Sequence, residues 1–457
     1  MSSFNCNRRD FLKRSGLCAA GVLVGGCAGA ARQASRGAGK PNIIIILADD
    51  LGYGDIGCYG NKTINTPNID ALAEGGLKFT DFHSNSPVCS PTRAAFLTGR
   101  YQQRCGVEGV VTAKGHRDKG MPLAETTFAE VLKEAGYRTA MFGKWHVGYH
   151  VRFNPVKQGF DEFVGYVSGN VDYISHIDQV GYKDWWKNTD EIDEEGYTTD
   201  LITKHGMDFI ERNKSKPFCL YLAHEAPHYP YQGRGDKPVR VPGAPKAFGG
   251  RKDKAVAYKE MVEIMDEGIG RVVETVKRLG LERKTFIFFF SDNGATRLGS
   301  NAPLRGFKGG IFEGGHRIPA VAYWPGKIRG GTITDQTAIG MDLFATMASV
   351  AGAPIPKGLK LDGVDLSPVL FKRKKLGERT LFWRYKNQRC VRRGPWKLVV
   401  APANKKNAAA AVSLFNLDDD LAEANDLASV KPEITKELVE ALAEWENYVA
   451  AGVERQS

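Results

Sequence analysis

Two short apolar runs constrain the fold of this chain more than any other feature of its sequence. Residues 42–47 contain four consecutive isoleucines, and residues 285–290 contain four phenylalanines and an isoleucine. A half-exposed strand alternates apolar and polar side chains, whereas a strand covered on both faces is apolar throughout. We therefore predict a large, mostly parallel sheet that is covered by helices on both faces.

Predicted helices alternate with predicted strands through most of the chain. Thr66 is expected to cap a helix with Pro67 in its first turn, and Thr127 with Glu130 forms a capping box for another helix. Strands are predicted near residues 137–142 and 218–223. Helices are predicted near residues 258–279 and 341–350. This alternation is typical of an α/β sandwich.

The character of the sequence changes after residue 372. Short strand-like segments at 380–383 and 397–400 precede one amphipathic helix at 433–448. We therefore expect three parts. They are an export signal and linker at 1–40, the main α/β domain at 41–372, and a C-terminal α+β subdomain at 373–457 with an antiparallel sheet and a helix.

The first 40 residues have the features of an export signal. Arg8 and Arg9 precede a short apolar stretch at 16–26, and paired arginines in that position resemble a twin-arginine signal. Small residues before Cys27 resemble a lipoprotein cleavage site, so Cys27 is a candidate lipid anchor. No apolar run reaches the length of a transmembrane span. We expect a protein that is periplasmic or anchored by lipid at the cell surface.

Charge and cysteine content argue against two classes of function. The leader at 1–40 contributes +6 of the net charge of +11, which leaves only +5 for the rest of the chain. That mild excess does not indicate nucleic-acid binding. No CxxC spacing occurs, which argues against a zinc–thiolate site. The sequence leaves open whether four of the five later cysteines form disulfides; these five are Cys58, Cys89, Cys105, Cys219 and Cys390.

Polar residues with oxygen ligands follow both apolar strands. Asp49 and Asp50 follow the first run, and Asp292 and Asn293 follow the second. Ligand sites of parallel sheets gather at the carboxyl ends of the strands. Three carboxylates and an amide oxygen would repel one another unless a hard divalent cation, Ca²⁺ or Mg²⁺, lay between them. Either pair alone would more simply cap a helix, but two pairs favour a metal site.

A cysteine at a predicted helix start is a second candidate for chemistry. Pro91 suits the first turn of a helix and Gly99 suits its end, which places Cys89 at the N-terminus, where unpaired N–H groups favour anions. Arg93 lies one turn further along the same face. A buried, inert cysteine is the more common case, but a nucleophilic side chain beside a guanidinium would bind an oxyanion.

Further basic and imidazole groups follow other predicted strands. Lys144 and His146 follow one strand and would face the same way in an extended chain. His228 follows another strand, and Lys308 lies in a glycine-rich loop. Singly these residues carry little information. Together with Arg93 they would hold a tetrahedral anion and move protons.

These motifs together resemble the formylglycine-dependent (type I) sulfatases, in the branch of the arylsulfatases and N-acetylgalactosamine-6-sulfatases. The resemblance runs from about residue 41 to the end of the chain, and it implies the fold of the alkaline phosphatase superfamily. Its motifs, in chain order, are Asp49-Asp50, Cys89-x-Pro91-x-Arg93, Thr98-Gly99-Arg100, Gly143-Lys144-Trp145-His146, Ala226-Pro227-His228, Asp292-Asn293-Gly294, Lys308 with Glu313-Gly314-Gly315, and Leu414-Phe415-Asn416-Leu417.

The resemblance implies a modified nucleophile and a bound metal. Cys89 would be oxidised to formylglycine (3-oxoalanine) by a formylglycine-generating enzyme, and the hydrated aldehyde would attack sulfur. Ca²⁺, rather than Mg²⁺, would contact that residue and a sulfate oxygen. The implied metal ligands are Asp49, Asp50, Cys89 in its modified form, Asp292 and Asn293.

The resemblance also implies roles for the cationic and imidazole groups. Arg93 would stabilise the ionised hydrate, and Lys144 and Lys308 would hold sulfate oxygens. His228 would protonate the leaving alcohol, and His146 would take a proton as the sulfated hydrate returns to the aldehyde. Metal ions and lysines would thus offset the approach of one anion to another.

Two other functions compete with sulfate ester hydrolysis. A phosphatase or phosphonate ester hydrolase of the same superfamily is one alternative. Ser or Thr with two Zn²⁺ ions would suit a phosphatase, whereas Cys89 favours sulfate; formylglycine-dependent phosphonate hydrolases share the Cys89 motif. A glycan-binding protein with a degenerate site is the second alternative, and it should have lost Cys89, Arg93, Lys144 or His228. None of these is lost.

A sulfated oligosaccharide or polysaccharide is the expected substrate. Residues 234–254 carry a net charge of +5 and follow His228 closely, so this segment is a candidate attractor of polyanions; a solvated loop of no consequence is an equal alternative. Residues 166–200 contain aromatic side chains that could stack on sugar rings, although packing is the more frequent role of such residues; they include Tyr166, Tyr173, Tyr182, Trp185 and Trp186. The sequence identifies neither the sugar nor the position of its sulfate.

Overall fold

The computed structural model describes residues 39–244, 250–402 and 411–451. The export signal and Cys27 lie outside these described residues, as does Lys246 of the basic segment. Among the described residues, no helix combines the length and apolar composition that crossing a bilayer requires.

Within the described residues the larger sheet has eleven strands. Its strands are β1 (Asn42–Ala48), β2 (Leu77–His83), β3 (Arg138–Lys144), β4 (Glu162–Tyr166), β5 (Trp186–Lys187), β6 (Asp190–Glu191), β7 (Phe218–Ala223), β8 (Thr285–Ser291), β9 (Arg317–Tyr323), β10 (Thr332–Thr334) and β11 (Ala338–Ile339). The helices are α1 (Pro67–Glu74), α2 (Cys89–Thr98), α3 (Phe128–Glu134), α4 (Thr198–Asn213), α5 (Lys254–Arg278), α6 (Glu313–His316), α7 (Asp342–Ala351), α8 (Ser367–Lys372) and α9 (Pro432–Ala451).

The two apolar runs form adjacent parallel strands at the centre of this sheet. The spatial order is β10-β2-β9-β8-β1-β7-β3-β4-β5-β6, with β11 also paired to β2. β1 runs parallel to both β7 and β8, whereas β9 is antiparallel to β2 and β8. The predicted mostly parallel sheet is confirmed. In this register Ala48 lies beside Ser291, so β1 and β8 end at the same level.

Helices cover both faces of the sheet, which explains why β1 has no polar alternation. Ile43, Ile45 and Leu47 belong to a core that also contains residues of α2, α3 and α7. Ile44 and Ile46 belong to a second core with residues of α1, α4 and α5. Full burial of each isoleucine side chain stabilises the fold by about 1.5–3 kcal/mol. The predicted α/β sandwich is therefore confirmed.

Local helix signals are partly confirmed. Thr127 and Glu130 form the predicted capping box at the start of α3. Gly99 ends α2 in the left-handed conformation, with φ 66°. The predicted cap at Thr66 is wrong in its chemistry, because the side chain makes no cap hydrogen bond to α1. Its hydroxyl instead accepts from the N–H of Gly57, so the preceding loop uses the oxygen that would have capped the helix.

The C-terminal part forms the predicted antiparallel sheet and helix. Its strands are β12 (Thr380–Tyr385), β13 (Gln388–Arg393), β14 (Trp396–Ala401) and β15 (Ala411–Asn416), which pair in this order. The core between this smaller sheet and α9 also contains Tyr101, Ile339 and Met341. Apolar packing therefore continues from the smaller sheet to elements of the larger one. The division at residue 372 stays a prediction.

Candidate active site

Four neighbouring strands of the larger sheet carry the candidate residues at their carboxyl ends. In the order β8-β1-β7-β3, the strands are followed by Asp292, Asp49 and His228, and β3 ends in Lys144. Because these strands are mutually parallel, their ends meet at one edge of the sheet. Residues separated by up to 243 positions, such as Asp50 and Asn293, consequently come into contact.

The carboxylates and the amide form one buried cluster. The backbone N–H of Asp50 donates to Oδ1 of Asp292 (3.3 Å), and Nδ2 of Asn293 donates to Oδ1 of Asp50 (2.7 Å). Three further oxygens in the cluster are buried and have no hydrogen-bond partner; these are Oδ1 of Asp49, Oδ2 of Asp50 and Oδ1 of Asn293. Unpaired buried oxygens are costly, and a cation with oxygen ligands would satisfy them.

Three cationic side chains surround this cluster. Nη2 of Arg93 lies 3.7 Å from Oδ2 of Asp49. The ammonium group of Lys144 contacts the same Asp49 oxygen, and Nζ of Lys308 lies 2.5 Å from Oδ1 of Asp50. The side chains of Arg93 and Lys144 have no exposure, whereas Lys308 is 19% exposed. Lys308 therefore lies on the side where the cluster opens to solvent.

Charge in the cluster is balanced but tightly confined. Burial and then the neighbouring Asp292 raise the pKa of Asp49 to about 7. Burial alone would raise the pKa of Asp50, but the charges of Lys308 and His228 lower this pKa below its usual value. Three carboxylates opposite three cations are neutral overall, so a bound divalent cation would give the site a net positive charge. A positive site favours an anionic substrate.

Cys89 is the first residue of α2, as the sequence predicts. Its Sγ atom and carboxylate oxygens of Asp49 and Asp292 lie within 4.8 Å of one another. The N-terminus of α2 therefore lies beside the carboxylate cluster. The thiol is 3% exposed, and burial raises its pKa. An unmodified thiol in this place would therefore be a weak nucleophile at neutral pH.

His228 presents its Nε2 atom to the cluster. Its Nδ1–H donates to the carbonyl of Tyr229 (2.7 Å), which leaves Nε2 at 3.8 Å from Oδ2 of Asp50. Burial, and next Lys308, hold the pKa of His228 well below its usual value. The Tyr229 ring stacks on the imidazole with ring centroids 4.3 Å apart. Sequence reasoning missed Tyr229, although it directly follows His228.

His146 is buried near the other cations, but for a different reason from the predicted one. β3 ends at Lys144, and His146 has φ 58°, in the left-handed region. Alternation along an extended chain therefore does not apply, and that prediction is wrong. The Nε2–H of His146 donates to the carbonyl of Val111 (3.0 Å). Nδ1 is buried without a partner and remains able to accept a proton.

The basic segment at 234–254 is less positive at the surface than its composition suggests. Arg234 pairs with Asp200 and Glu267, and Arg251 pairs with Asp236 and Glu260. Arg240 is 1% exposed, and its Nη2 donates to Oδ1 of Asn170. Lys237, Lys252 and Lys254 are exposed. Three of the seven basic residues in the segment thus have structural roles.

The aromatic residues at 166–200 mostly serve packing. Tyr166, Tyr173 and Trp185 are at most 1% exposed, and Trp186 is half-buried. Tyr182 is 58% exposed, with the guanidinium of Arg117 above its ring at 4.3 Å from the centroid. Only this last aromatic side chain among the five offers a large exposed surface.

The cysteines form no disulfide within the described residues, where Cys58, Cys89, Cys105, Cys219 and Cys390 are all free. Cys89 is the one that lies in the carboxylate cluster.

Comparison with known proteins identifies the family. The family model described as Sulfatase matches residues 41–353. The N-acetylgalactosamine-6-sulfatase of Mus musculus is 35% identical over 385 residues, which cover 78% of this chain and 71% of that protein. Arylsulfatase G of Rattus norvegicus is 33% identical over 459 residues, which cover 86% of this chain and 84% of that protein.

A solved structure shows the same fold over nearly the whole chain. The crystal structure of Ps i-CgsB in complex with k-i-k-neocarrahexaose has a TM-score of 0.79 and 31% sequence identity, and the match covers 89% of this chain and 92% of that one. The family match spans more than half of the chain and includes every candidate site residue from Asp49 to Lys308. The chain belongs to the sulfatase family and is a sulfuric ester hydrolase.

Proposed function

We propose that the protein removes sulfate from a sulfated glycan, with a formylglycine derived from Cys89 and a bound Ca²⁺. The observation that carries this proposal is that Sγ of Cys89 and carboxylate oxygens of Asp49 and Asp292 lie within 4.8 Å of one another, close enough to share one metal ion. A nucleophile position, an oxygen-rich cluster and three cations converge there. This combination suits the attack of one oxygen nucleophile on an anionic ester.

The chemistry of the donor set fits Ca²⁺. Asp49, Asp50, Asp292 and Asn293 would hold the ion with carboxylate and amide oxygens, which are the ligands that hard cations prefer. The three buried oxygens without partners support this assignment. When bound, the ion supplies Lewis-acid stabilisation of charge on sulfate oxygens and on the nucleophile.

Cys89 supplies the position of the nucleophile. When modified to formylglycine, the residue supplies a hydrated aldehyde whose hydroxyl oxygen attacks sulfur. The buried, unreactive thiol supports the need for this modification, because burial disfavours the thiolate. The maturation partner would be a formylglycine-generating enzyme.

The cationic side chains would bind and orient the sulfate group. Lys308 is the most exposed of the three and would meet the ester first. Lys144 and Lys308 would hold sulfate oxygens, and Arg93 would stabilise negative charge on the oxygen at position 89. All three are preorganised by ion pairs with the cluster, so little reorganisation is needed during the reaction.

The two histidines would move the protons. His228 directs Nε2 towards the cluster, where the doubly protonated ring would protonate the bridging oxygen of the leaving alcohol. His146 holds Nδ1 unpaired and would accept a proton from the oxygen at position 89 as sulfate leaves. Protonation of the bridging oxygen lowers the barrier because charge develops there when the ester bond breaks.

A glycan substrate is supported by the relatives. One relative is named for a sulfated amino sugar, and the similar structure of Ps i-CgsB is a complex with k-i-k-neocarrahexaose. The exposed Lys237, Lys252 and Lys254 and the exposed ring of Tyr182 would suit a sulfated sugar chain. The sugar and the position of the sulfate stay open.

Intact-mass analysis of the peptide around Cys89 tests the proposal together with a rate comparison. We expect conversion of the thiol to the aldehyde and faster hydrolysis of an aryl sulfate than of the matching aryl phosphonate. Active enzyme that retains an ordinary thiol at position 89 would contradict the nucleophile. Faster phosphonate hydrolysis would establish the alternative activity instead.

Export by the twin-arginine route, with a final location in the periplasm or at a lipid anchor on Cys27, also belongs to the proposal. Cell fractionation of the full chain and of an Arg8→Lys, Arg9→Lys variant tests it. Retention of the variant in the cytoplasm is expected, and unchanged export would contradict the route. A Cys27→Ser variant that stays membrane-bound would contradict the lipid anchor.

A further inference from the structure

The loop that carries Lys308 is held by hydrogen bonds within its own backbone and by the segment before α2. It connects β8 to β9 and contains α6. The N–H of Lys308 donates to the carbonyl of Ala295 (2.9 Å), and the N–H of Gly309 donates to the carbonyl of Pro87 (2.9 Å). The loop folds back tightly enough that a Cβ atom on Gly315 would lie 1.9 Å from the carbonyl oxygen of Gly310.

The smaller C-terminal sheet and the segment after it hold the other side of this loop. Nε2 of Gln388, at the start of β13, donates to the carbonyl of Gly309 (3.0 Å), the residue after Lys308. Oε2 of Glu423 accepts from the backbone N–H of Glu313 (2.6 Å), and Arg305 donates to the carbonyl of Glu423. The second half of the loop is therefore bound at Arg305, Gly309 and Glu313 by residues that follow position 380.

Lys397 of β14 is the centre of these contacts. Its Nζ atom lies 2.9 Å from Oε1 of Glu313 and 2.9 Å from Oε1 of Glu423, and all three side chains have no exposure. Arg317 also pairs with Glu313 (3.2 Å). A buried carboxylate is stable only when a cation compensates it, so removal of Lys397 would leave excess negative charge beside the loop.

The buried groups around Glu313 form a charge network and not a second metal site. His83, Glu313 and His316 have ligand atoms within 4.8 Å of one another. The space beside them is taken by Nζ of Lys397, which lies 3.2 Å from Nε2 of His316. Arg392 pairs with Asp81, which in turn binds Nε2 of His83 (2.8 Å). Protein cations thus already occupy the place that a metal would take.

We propose that Lys397, Glu423 and Gln388 are positioning residues for Lys308, so that the C-terminal sheet completes the sulfate-binding site. The proposal rests on the proposed function, in which Lys308 holds a sulfate oxygen. Lys308 lies one residue from the carbonyl that Gln388 binds and five residues from Glu313. A loop released at these points would shift the ammonium group away from the substrate, and small displacements of binding groups reduce rates strongly.

The test compares Lys397→Met, Lys397→Arg and Gln388→Ala with a matched control, Arg379→Met. Arg379 forms a buried ion pair with Asp342 (2.6 Å) that does not contact the Lys308 loop. Three quantities are measured for each folded variant. They are kcat and KM on an aryl sulfate, the inhibition constant of inorganic sulfate, and hydrogen exchange of the peptide at 305–316.

For Lys397→Met we expect kcat/KM to fall by about 10- to 100-fold, with weaker inhibition by sulfate and faster exchange at 305–316. Gln388→Ala should show a smaller change of the same kind, and Lys397→Arg should recover part of the loss. Arg379→Met should lose stability without these changes. Equal effects in Arg379→Met, or unchanged sulfate inhibition in folded Lys397→Met, would overturn the proposal. If Lys397→Met does not fold, Gln388→Ala decides.

Failure of the proposed function gives a different result. A wild-type enzyme with formylglycine at position 89 that hydrolyses no sulfate ester would reject the function, while exchange at 305–316 would still report whether Lys397 holds the loop. An active wild type with no change in any Gln388 or Lys397 variant would reject only the positioning role.

Discussion

Nη2 of Arg93 lies 2.8 Å from Oδ2 of Asp292, and neither side chain is exposed. The same guanidinium donates from Nη1 to the carbonyl of Lys144 (2.8 Å). One residue of α2 is thereby fixed to the loop after β8 and to the end of β3. Because Arg93 cannot change rotamer without losing both contacts, it serves as a fixed charge beside position 89, which is the arrangement that stabilises a developing oxyanion best.

Replacement of the nucleophile should abolish turnover without unfolding the protein. We expect Cys89→Ala to lower kcat on an aryl sulfate by at least about a thousandfold, with an unchanged circular dichroism spectrum, since α2 makes no side-chain cap through this residue. Cys105→Ala is the control, because Cys105 is buried and contacts Thr98, at the opposite end of α2 from Cys89. Substantial residual activity in Cys89→Ala would contradict the assignment.

Calcium should stabilise the folded protein through the carboxylate cluster. At a hundred times the dissociation constant, a bound ligand adds about 2.7 kcal/mol to the free energy of unfolding. We expect a rise in the Tm of chelator-treated protein on addition of Ca²⁺, and no such rise in Asp50→Asn. Asp55→Asn should keep the rise, because Asp55 binds Tyr258 and backbone N–H groups outside the cluster. A larger shift with Mg²⁺ would contradict the choice of ion.

Loss of the proton donor should depend on the leaving group. We expect His228→Ala to reduce kcat/KM by about 10²- to 10⁴-fold on a sugar sulfate and by much less on 4-nitrophenyl sulfate, whose phenol leaves without protonation. His224→Asn is the control, because His224 is buried on the same segment but pairs with no residue of the cluster. Equal losses on both substrates would assign His228 to binding rather than to proton transfer.

Acid should destabilise the contact between Glu194 and His205. Although burial alone would raise it, hydrogen bonds from His205 and Trp185 lower the pKa of Glu194 from 4.5 to about 2. A lowered carboxyl pKa stabilises the fold above the ordinary pKa, and this contribution disappears as the pH falls towards 2. We expect Glu194→Gln to lower the free energy of unfolding by about 1 kcal/mol at neutral pH, since solvent screens the pair. Unfolding of wild type and Glu194→Gln by denaturant at pH 7 and pH 3 measures this contribution to the free energy of unfolding.

In that measurement the difference between wild type and Glu194→Gln should shrink from pH 7 to pH 3. Glu211→Gln is the control, since Glu211 forms an exposed pair with Arg278. A constant difference across this pH range would show that Glu194 is not ionised in the folded state.

Much of the fold and most of the site residues could be predicted because their signals are local. The isoleucines of β1 indicate a strand covered on both faces, and Pro91 with Gly99 marks the two ends of α2. The carboxyl-end rule then brings Asp49 and Asp292 together without any knowledge of the loops. Each of these predictions depends on a property that neighbouring residues already determine.

Other features could not be predicted from the sequence, because they depend on the folded chain and not on neighbouring residues alone. A count of charges at 234–254 cannot show that Asp200 and Glu267 lie beside Arg234. The left-handed backbone at His146 is set by the fold, so the extended chain that alternation assumes does not exist there. Lys397 had no local signal at all, because its partners Glu313 and Glu423 are 84 and 26 positions away and become neighbours only when both sheets are assembled.

The ion pair between Lys397 and Glu313 has a consequence for any shortened form of the protein. The stretch that matches the sulfatase family model ends at residue 353, and a recombinant fragment cut there would keep Glu313 but lose the lysine that neutralises it. Arg317 would still pair with this carboxylate, but the truncated chain would lose the charge compensation that Lys397 supplies. We therefore expect both catalysis and solubility to require the last hundred residues, although these lie beyond the stretch that matches the family model.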